Sequence, residues 1–344
     1  MAGLIRYNNG DKLIDTQKIV TSTWSGNTND ADVFASFSSS GAGPAVASTS
    51  SAAFFIEIYN DASVSRETQY AIAHGHKKGS GSLDFTSDAG AFGNSAARVI
   101  YNQYRQLIYG DETSDFNFEG NTPDDIYVIN INRARYKHNL KAGSLNLTLK
   151  GNVGSSLIGD KIILTDDSVS TSGSATITNA GRQFNLVSGS SGVRSGSTTA
   201  QTQFGSYGFF YPDSGFIILN PRAISASLHI SAAYGSNIVN HNHHLFKNAI
   251  SGGGEFIVDS EEKVTSQYYF TRAKNNEFNY TTNPSFIDTN GNLNYTSMVD
   301  NPKTFITTIG LYNDSNDLVA VAKVSQPISK DFSKEALIRV KLDY

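Results

Sequence analysis

The chain has no cysteine in its 344 residues, which excludes a disulfide framework, a thiol nucleophile and a zinc–thiolate site. Proline is scarce at seven, so turn chemistry falls mainly to glycine and asparagine. Charge is sparse too: 17% of residues are charged, and 27 Lys and Arg against 31 Asp and Glu leave a net charge of −4. Without a basic excess, general attraction to nucleic-acid phosphates or to an anionic membrane has little to act on, so neither nucleic acid nor membrane insertion is expected. No apolar run approaches the ~20 residues that a membrane-spanning helix needs. The opening MAGLIRYNNGDK lacks the apolar core of a secretory leader and turns polar within a few residues. Folding in a reducing cytoplasm is the expectation.

The polar surface is built instead from Ser, Thr, Asn and Gly, whose short side chains compete for backbone hydrogen bonds and favour turns over helices. The hydrophobic pattern agrees. Residues 304–312 (TFITTIGLY) and 318–324 (LVAVAKV) read as strands around the polar loop 313–317 (NDSND), and 336–344 (ALIRVKLDY) as a third strand ending the chain in a sheet. In that last strand Ala336, Ile338, Val340, Leu342 and Tyr344 share one face, while Arg339, Lys341 and Asp343 share the other. Earlier strands are expected at 18–24, 54–59 (FFIEIY), 67–74 (ETQYAIAH), 126–132 (IYVININ) and 145–149 (LNLTL). Short strand-like pieces at 161–165, 175–178 and 183–187 punctuate the Gly/Ser/Thr-rich middle, and 209–220 reads as two strands around Pro-Asp-Ser-Gly, with 264–272 a strand again.

One helix stands out. In residues 95–108 the apolar positions Ala97, Ile100, Tyr101, Tyr104, Leu107 and Ile108 form a stripe at helical spacing, with Asn94 or Ser95 to cap it and Gly110 to stop it. Weaker helical stretches lie at 223–233 and 243–250, the second broken by the glycines 252–254. The fold class is therefore mainly β, with β-sandwich-like sheets, one amphipathic helix and one or two short helices. Three parts are expected: 1–150, β-rich with the helix; 151–253, a Gly/Ser-rich inserted region; and 254–344, β-rich and sharing a core with the first. The Ser/Ala/Gly-rich stretch 38–53 reads as a loop or arm.

The search for chemistry finds candidates and a plainer reading beside each. His74 and His76 lie two apart on a strand, so their rings share a side, and His241, His243 and His244 cluster at the start of a helix. Imidazoles ligate metals, but neither cluster brings carboxylates with second-shell spacing, so structural histidines and no metal are expected. Lys77-Lys78-Gly79-Ser80-Gly81-Ser82 has its lysines before its glycines, unlike a phosphate loop, and reads as a hairpin tip. The run Asp288-Thr289-Asn290-Gly291-Asn292 has alternating oxygens, yet Leu293 and Val299 stand where a calcium loop needs Gly and Glu; Asn290-Gly291 reads as a turn. The pairs Asp124/Asp125, Asp166/Asp167 and Glu261/Glu262 are adjacent in sequence, which in a strand sends them to opposite faces. No nucleophile elbow, zincin helix or dinucleotide fingerprint is present. No catalytic, cofactor-binding or metal residue is assigned, and no cofactor is expected. The aromatics, 17 Tyr and 20 Phe for one Trp, serve the core or subunit contacts, and 274–280 (KNNEFNY) reads as a recognition loop.

Several segments together resemble a known family. They are His74-Gly75-His76 with 79–82, Ile100-Tyr101-Asn102-Gln103-Tyr104-Arg105, 127–135 (YVININRAR), 210–215 (FYPDSG), 272–280 and 301–344. These are similar to virion structural proteins of contractile-tailed bacteriophages, especially the T4-like cyanophages. The closing ITTIGLYNDSNDLVAVAK is more loosely similar to proteins that join fibres to tail baseplates. The resemblance implies a non-enzymatic scaffold subunit of the tail, in the baseplate wedge, contacting other tail subunits, fibres and further copies of itself within the virion. The alternative is a fibre adaptor or a receptor- or glycan-binding module. The family offers no active site to map onto these residues.

Overall fold

The computed structural model describes residues 5–7, 9–25, 55–60, 67–81, 95–153, 156–171, 174–195, 203–232, 241–253, 255–279 and 284–344. The expected arm at 38–53 lies outside them. The chain divides into a smaller unit, residues 1–18 with 263–344, and a larger one, residues 19–262. This differs from the three parts read from the sequence. The middle region does not stand alone, because its strands pair directly with strands from before residue 150. Of the N-terminal part, only residues 1–18 group with the C-terminal segment.

The architecture is mainly β, as the patterning indicates. The larger unit is built on one antiparallel sheet. Its strands are β2 (Ile56–Tyr59), β3 (Thr68–His76), β4 (Asp125–Ile131), β6 (Asn146–Val153), β7 (Ser156–Asp166), β9 (Gly181–Ser190), β11 (Gly208–Tyr211), β12 (Phe216–Leu219) and β13 (Glu255–Ile257). They follow the order β13-β6-β7-β9-β11-β12-β4-β3-β2, with the short β8 (Thr176–Thr178) and β10 (Val193–Arg194) paired to β9. The Pro-Asp-Ser-Gly turn joins β11 to β12, with Phe209 opposite Ile218 and Tyr211 opposite Phe216.

A helix on each face explains why β4 is apolar without alternation, a pattern more familiar from parallel sheets buried on both sides. Ile126 and Val128 pack toward α1 (Ala96–Tyr109), together with Ile100, Tyr101 and Ile108. Tyr127, Ile129 and Ile131 pack in the other core, with α2 (Pro221–Leu228) and α3 (His241–Gly253). There Tyr127 stacks on Phe246 of α3, centroids 4.6 Å apart and planes 9° from parallel. Each such aliphatic side chain withdrawn from water contributes about 1.5–3 kcal/mol.

The helices begin and end for local reasons. Gly110 is left-handed (φ 77°) and its N–H closes α1 on the Gln106 carbonyl. Ser95 does not cap α1 with its side chain; its hydroxyl donates to the Gly79 carbonyl at 2.6 Å and ties the helix start to the turn after β3. Helix α2 starts two residues earlier than its periodicity suggests, because Asn220 accepts the N–H groups of Arg222 and Ala223 and Pro221 takes the first helical position. The only tryptophan, Trp24, is buried against Tyr70 and Phe256 and donates its indole N–H to the Phe256 carbonyl at 2.8 Å.

In the smaller unit the C-terminal half of β14 (Asp259–Ala273) pairs antiparallel with β17 (Ala336–Asp343), from Ser266 opposite Asp343 to Ala273 opposite Ala336. Strand β1 (Lys12–Ser22) joins the same sheet, and in the larger unit the first residues of β14 pair with β5 (Asn139–Leu140). A separate hairpin is formed by β15 (Thr304–Tyr312) and β16 (Leu318–Lys330). Its register breaks between Ile306 and Thr308, whose partners jump from Ile328 to Lys323 across Pro327, a residue that cannot donate to the ladder. The break resets the phase, so Ile306, Ile309 and Leu311 all reach the small core with Ile338 and Val340.

Candidate functional site

The histidine motif serves the fold. His74 and His76 point to the same side of β3, as the alternation requires, and Gly75 between them faces α1. A Cβ on Gly75 would lie 2.9 Å from the Tyr101 backbone nitrogen, so this position lets the helix approach the strand. His74 is 3.5 Å from Asp125, both side chains almost wholly buried, and its ring packs against Tyr127. His76 Nδ1 accepts the backbone N–H groups of Lys78 (3.1 Å) and Ser80 (3.3 Å), shaping the turn that follows. Burial lowers the His76 pKa, opposed by Asp125. On α3, His243 is buried beside Asn242. The side chains of His241 and His244 lie outside the described residues, as does Ser82 of the glycine-rich turn. Among the described residues no three His, Asp or Glu side chains converge as a metal site would require.

The carboxylate pairs also separate into structural tasks. Asp166 accepts the Gly143 N–H at 2.9 Å and the Ser168 N–H at 3.1 Å, and Asp167 accepts the Asn185 N–H at 3.0 Å. Burial raises the pKa of both against these hydrogen bonds. Asp288 accepts the N–H groups of Asn290 and Asn292, both at 2.8 Å, and so organises the expected Asn-Gly turn. Of the stretch 274–280, read from sequence as a recognition loop, residues 274–276 are exposed and Asn279 is buried. The ammonium of Lys330 donates to the carbonyl of Asn275 and the side chain of Asn279, which anchors the segment at its base.

The larger unit carries two adjoining depressions that the sequence did not advertise. The first is a groove of about 710 Å³ where α1 stops covering the sheet. Its floor is low because Ala71 and Ala73 alternate on β3, between Glu57 of β2 and Asn130 of β4. One wall is α1, with Gln103, Tyr104 and the half-exposed Leu107; the far end holds Phe216 and Tyr136. The Tyr104 hydroxyl hydrogen-bonds the Asn130 side chain, and burial pushes its pKa up to about 12.

The second is a cleft of about 460 Å³, lined by Arg133, Arg135, Lys137 and His138 and faced by Ser260 and Glu262. Its basic side chains come from one run, 133–138 (RARYKH), which turns through a short 3-10 helix held by Asn132 accepting the Ala134 N–H at 2.9 Å. Arg133 and Tyr136 line both depressions. The Arg133 guanidinium lies 4.6 Å over the Tyr136 ring and donates to the Tyr136 carbonyl at 2.6 Å. Tyr136 in turn is seated on Gly215, where a Cβ would fall 2.4 Å from its hydroxyl. Arg135 donates to Ser25 and, at 2.7 Å, to Glu67. Lys137 is exposed, its backbone N–H held by Ser260 at 2.9 Å.

Two signals in the sequence could have found this site: the paired small residues Ala71 and Ala73 in an otherwise bulky strand, and the alternating basic run after β4. Leu107, counted in the buried stripe of α1, is half-exposed at the groove rim instead. Among the described residues no helix is long and apolar enough to cross a membrane. Compared with known protein families, with characterised proteins and with solved structures, the chain matches none.

Proposed function

We propose that the protein is a structural subunit of a bacteriophage contractile tail, held by its neighbours in the baseplate and assembled in several copies within the virion. The reading assigns no bond-making or bond-breaking step to the chain. The observation that carries it is the outer face of the β15–β16 hairpin. Phe305, Val319 and Val321 are 57%, 66% and 58% exposed, with Tyr312 and Leu318 beside them, while the inner face packs on β17 residues. Large apolar side chains exposed together, as Tyr312, Leu318, Val319 and Val321 are at one end of the hairpin, mark a contact surface. A two-stranded sheet also presents unpaired edges, which a strand from another subunit can extend. The family resemblance supplies the tail; the hairpin supplies a surface through which a tail neighbour can hold the chain.

Fractionation of purified particles tests the proposal. The wild-type chain is expected to co-purify with tails, and Val321→Glu, folded to the same circular dichroism, is expected to be lost from them. A wild-type chain absent from purified tails overturns it. A second reading, a carbohydrate-binding module, is favoured by one feature: the groove beside α1, lined by aromatic and carboxamide side chains.

A further inference from the structure

We infer that the groove and the cleft form one binding site for an acidic oligosaccharide, with sugar rings in the groove and a carboxylate over the basic cleft. This deepens the carbohydrate reading by naming the ligand class, and it is independent of whether the chain sits in a tail.

The groove's floor is a sheet face, where backbone N–H and C=O groups are already used in the β2–β3–β4 ladder. Of these three strands β2, last in the strand order, offers an edge at the groove's rim, but over the β3 floor recognition falls to side chains. Those present suit sugar hydroxyls, each of which both donates and accepts: the carboxamides of Gln103 and Asn130 carry a donor and an acceptor apiece. Tyr104 and Leu107 offer the apolar surface that the C–H faces of a pyranose need, with the buried Phe216 packed behind Tyr104. The groove's volume lies within the ~300–1,000 Å³ typical of small-molecule sites.

The adjoining cleft sets the charge of the ligand. Arg133 and the exposed Lys137 line it beside Glu262, while Arg135 at its wall is already paired with Glu67. Arg133 belongs to both depressions, and its stacking on Tyr136 holds the guanidinium plane where the two meet. A planar guanidinium matches a carboxylate with two parallel hydrogen bonds. A chain of uronic-acid residues presents such a carboxylate beside each ring, which is the repeat this pairing of surfaces fits.

Isothermal titration of the full chain with a tetra-uronate, its carboxyl-reduced neutral counterpart and inorganic sulfate tests the inference. The expected result is binding of the tetra-uronate that weakens as salt rises, with at least tenfold loss in Arg133→Ala, Lys137→Ala and the rim variant Leu107→Glu. All three replaced side chains are themselves exposed, and circular dichroism confirms each fold. Equal binding of the neutral counterpart, unaffected by the Arg133 and Lys137 changes, overturns the acidic assignment while leaving the carbohydrate reading intact. Sulfate binding as tightly as the tetra-uronate, with no effect of Leu107→Glu, overturns the joint site by reducing it to an anion cleft. Absence of binding to both saccharides overturns the inference and the carbohydrate reading together.

Discussion

The Lys330 ammonium donates to the Asn279 side-chain oxygen at 2.8 Å, in a position where no part of Lys330 reaches solvent. The carbonyls of Asn275 and Asp331 complete the cage at 3.0 and 3.1 Å. Burying a charge without full hydrogen bonding is costly, so this cage fixes the segment 275–279 to the end of β16. Asn279→Ala leaves the ammonium one acceptor short and is expected to cost about 2 kcal/mol. Urea unfolding of the variant gives the value, and a loss below ~0.5 kcal/mol contradicts this account of the loop.

Gly75 is predicted to tolerate no side chain. Its Cβ would meet the backbone of Tyr101 at 2.9 and 3.1 Å, and helix backbone cannot turn aside as a flexible side chain can. Gly75→Ala should therefore push α1 from β3 and destabilise the larger unit by about 1–3 kcal/mol. Trp24, buried in that unit, provides the fluorescence signal for the unfolding curve. An unchanged midpoint would show that the helix has room to spare.

The Arg182–Asp213 pair should matter little despite its good geometry. The guanidinium donates through Nε at 3.0 Å and through a terminal nitrogen at 2.6 Å to the same carboxylate, and this hydrogen bonding raises the Arg182 pKa. Both side chains are about one-third exposed, so water screens the attraction. A double-mutant cycle with Arg182→Ala and Asp213→Ala is expected to give a coupling below about 1 kcal/mol. A larger coupling would place the pair in a drier setting than the structure gives it.

The parts of the fold that were legible in the sequence are those where one physical cause acts alone. Strand β15 falls at the expected residues because its run of β-branched and aromatic residues stops at a polar loop, although the register break at 306–308 interrupts its alternation. Helix α1 is legible from its stripe and from Gly110. Legibility fails where two causes compete. Low-complexity composition at 151–202 suggests separation, whereas Leu164, Leu186 and Phe210 join the same core as Tyr70 and Tyr127. In helix α2 apolar spacing points to residue 223, whereas the Asn220 cap sets the start at Pro221. The site is hidden for a different reason: a groove is made by what is small and what stops short, Ala71, Ala73 and the exposed end of a helical stripe, and no residue type announces it.

His76 should make the fold sensitive to mild acid. Its Nδ1 accepts two backbone N–H groups, which requires that this nitrogen carry no proton. Burial lowers its pKa from the usual 6.5, and His74 and Lys78 act in the same direction, while Asp125 and Asp124 oppose them. Above pH ~6.5 neither the folded nor the unfolded chain protonates this ring, and its contribution to stability is complete. As pH falls below that value the unfolded chain takes up a proton that the folded chain resists, so stability declines until the folded ring protonates too. The slope from one such group cannot exceed about 1.4 kcal/mol per pH unit. His76→Asn keeps a side-chain oxygen as acceptor for the turn and removes the titration. Urea unfolding of wild type and variant from pH 7.5 to 5 is expected to show the difference between them shrinking on acidification, as the wild type alone loses the His76 contribution. A difference that stays constant over that range would mean that His76 titrates alike in both states, and that its two hydrogen bonds do not hold the neutral ring.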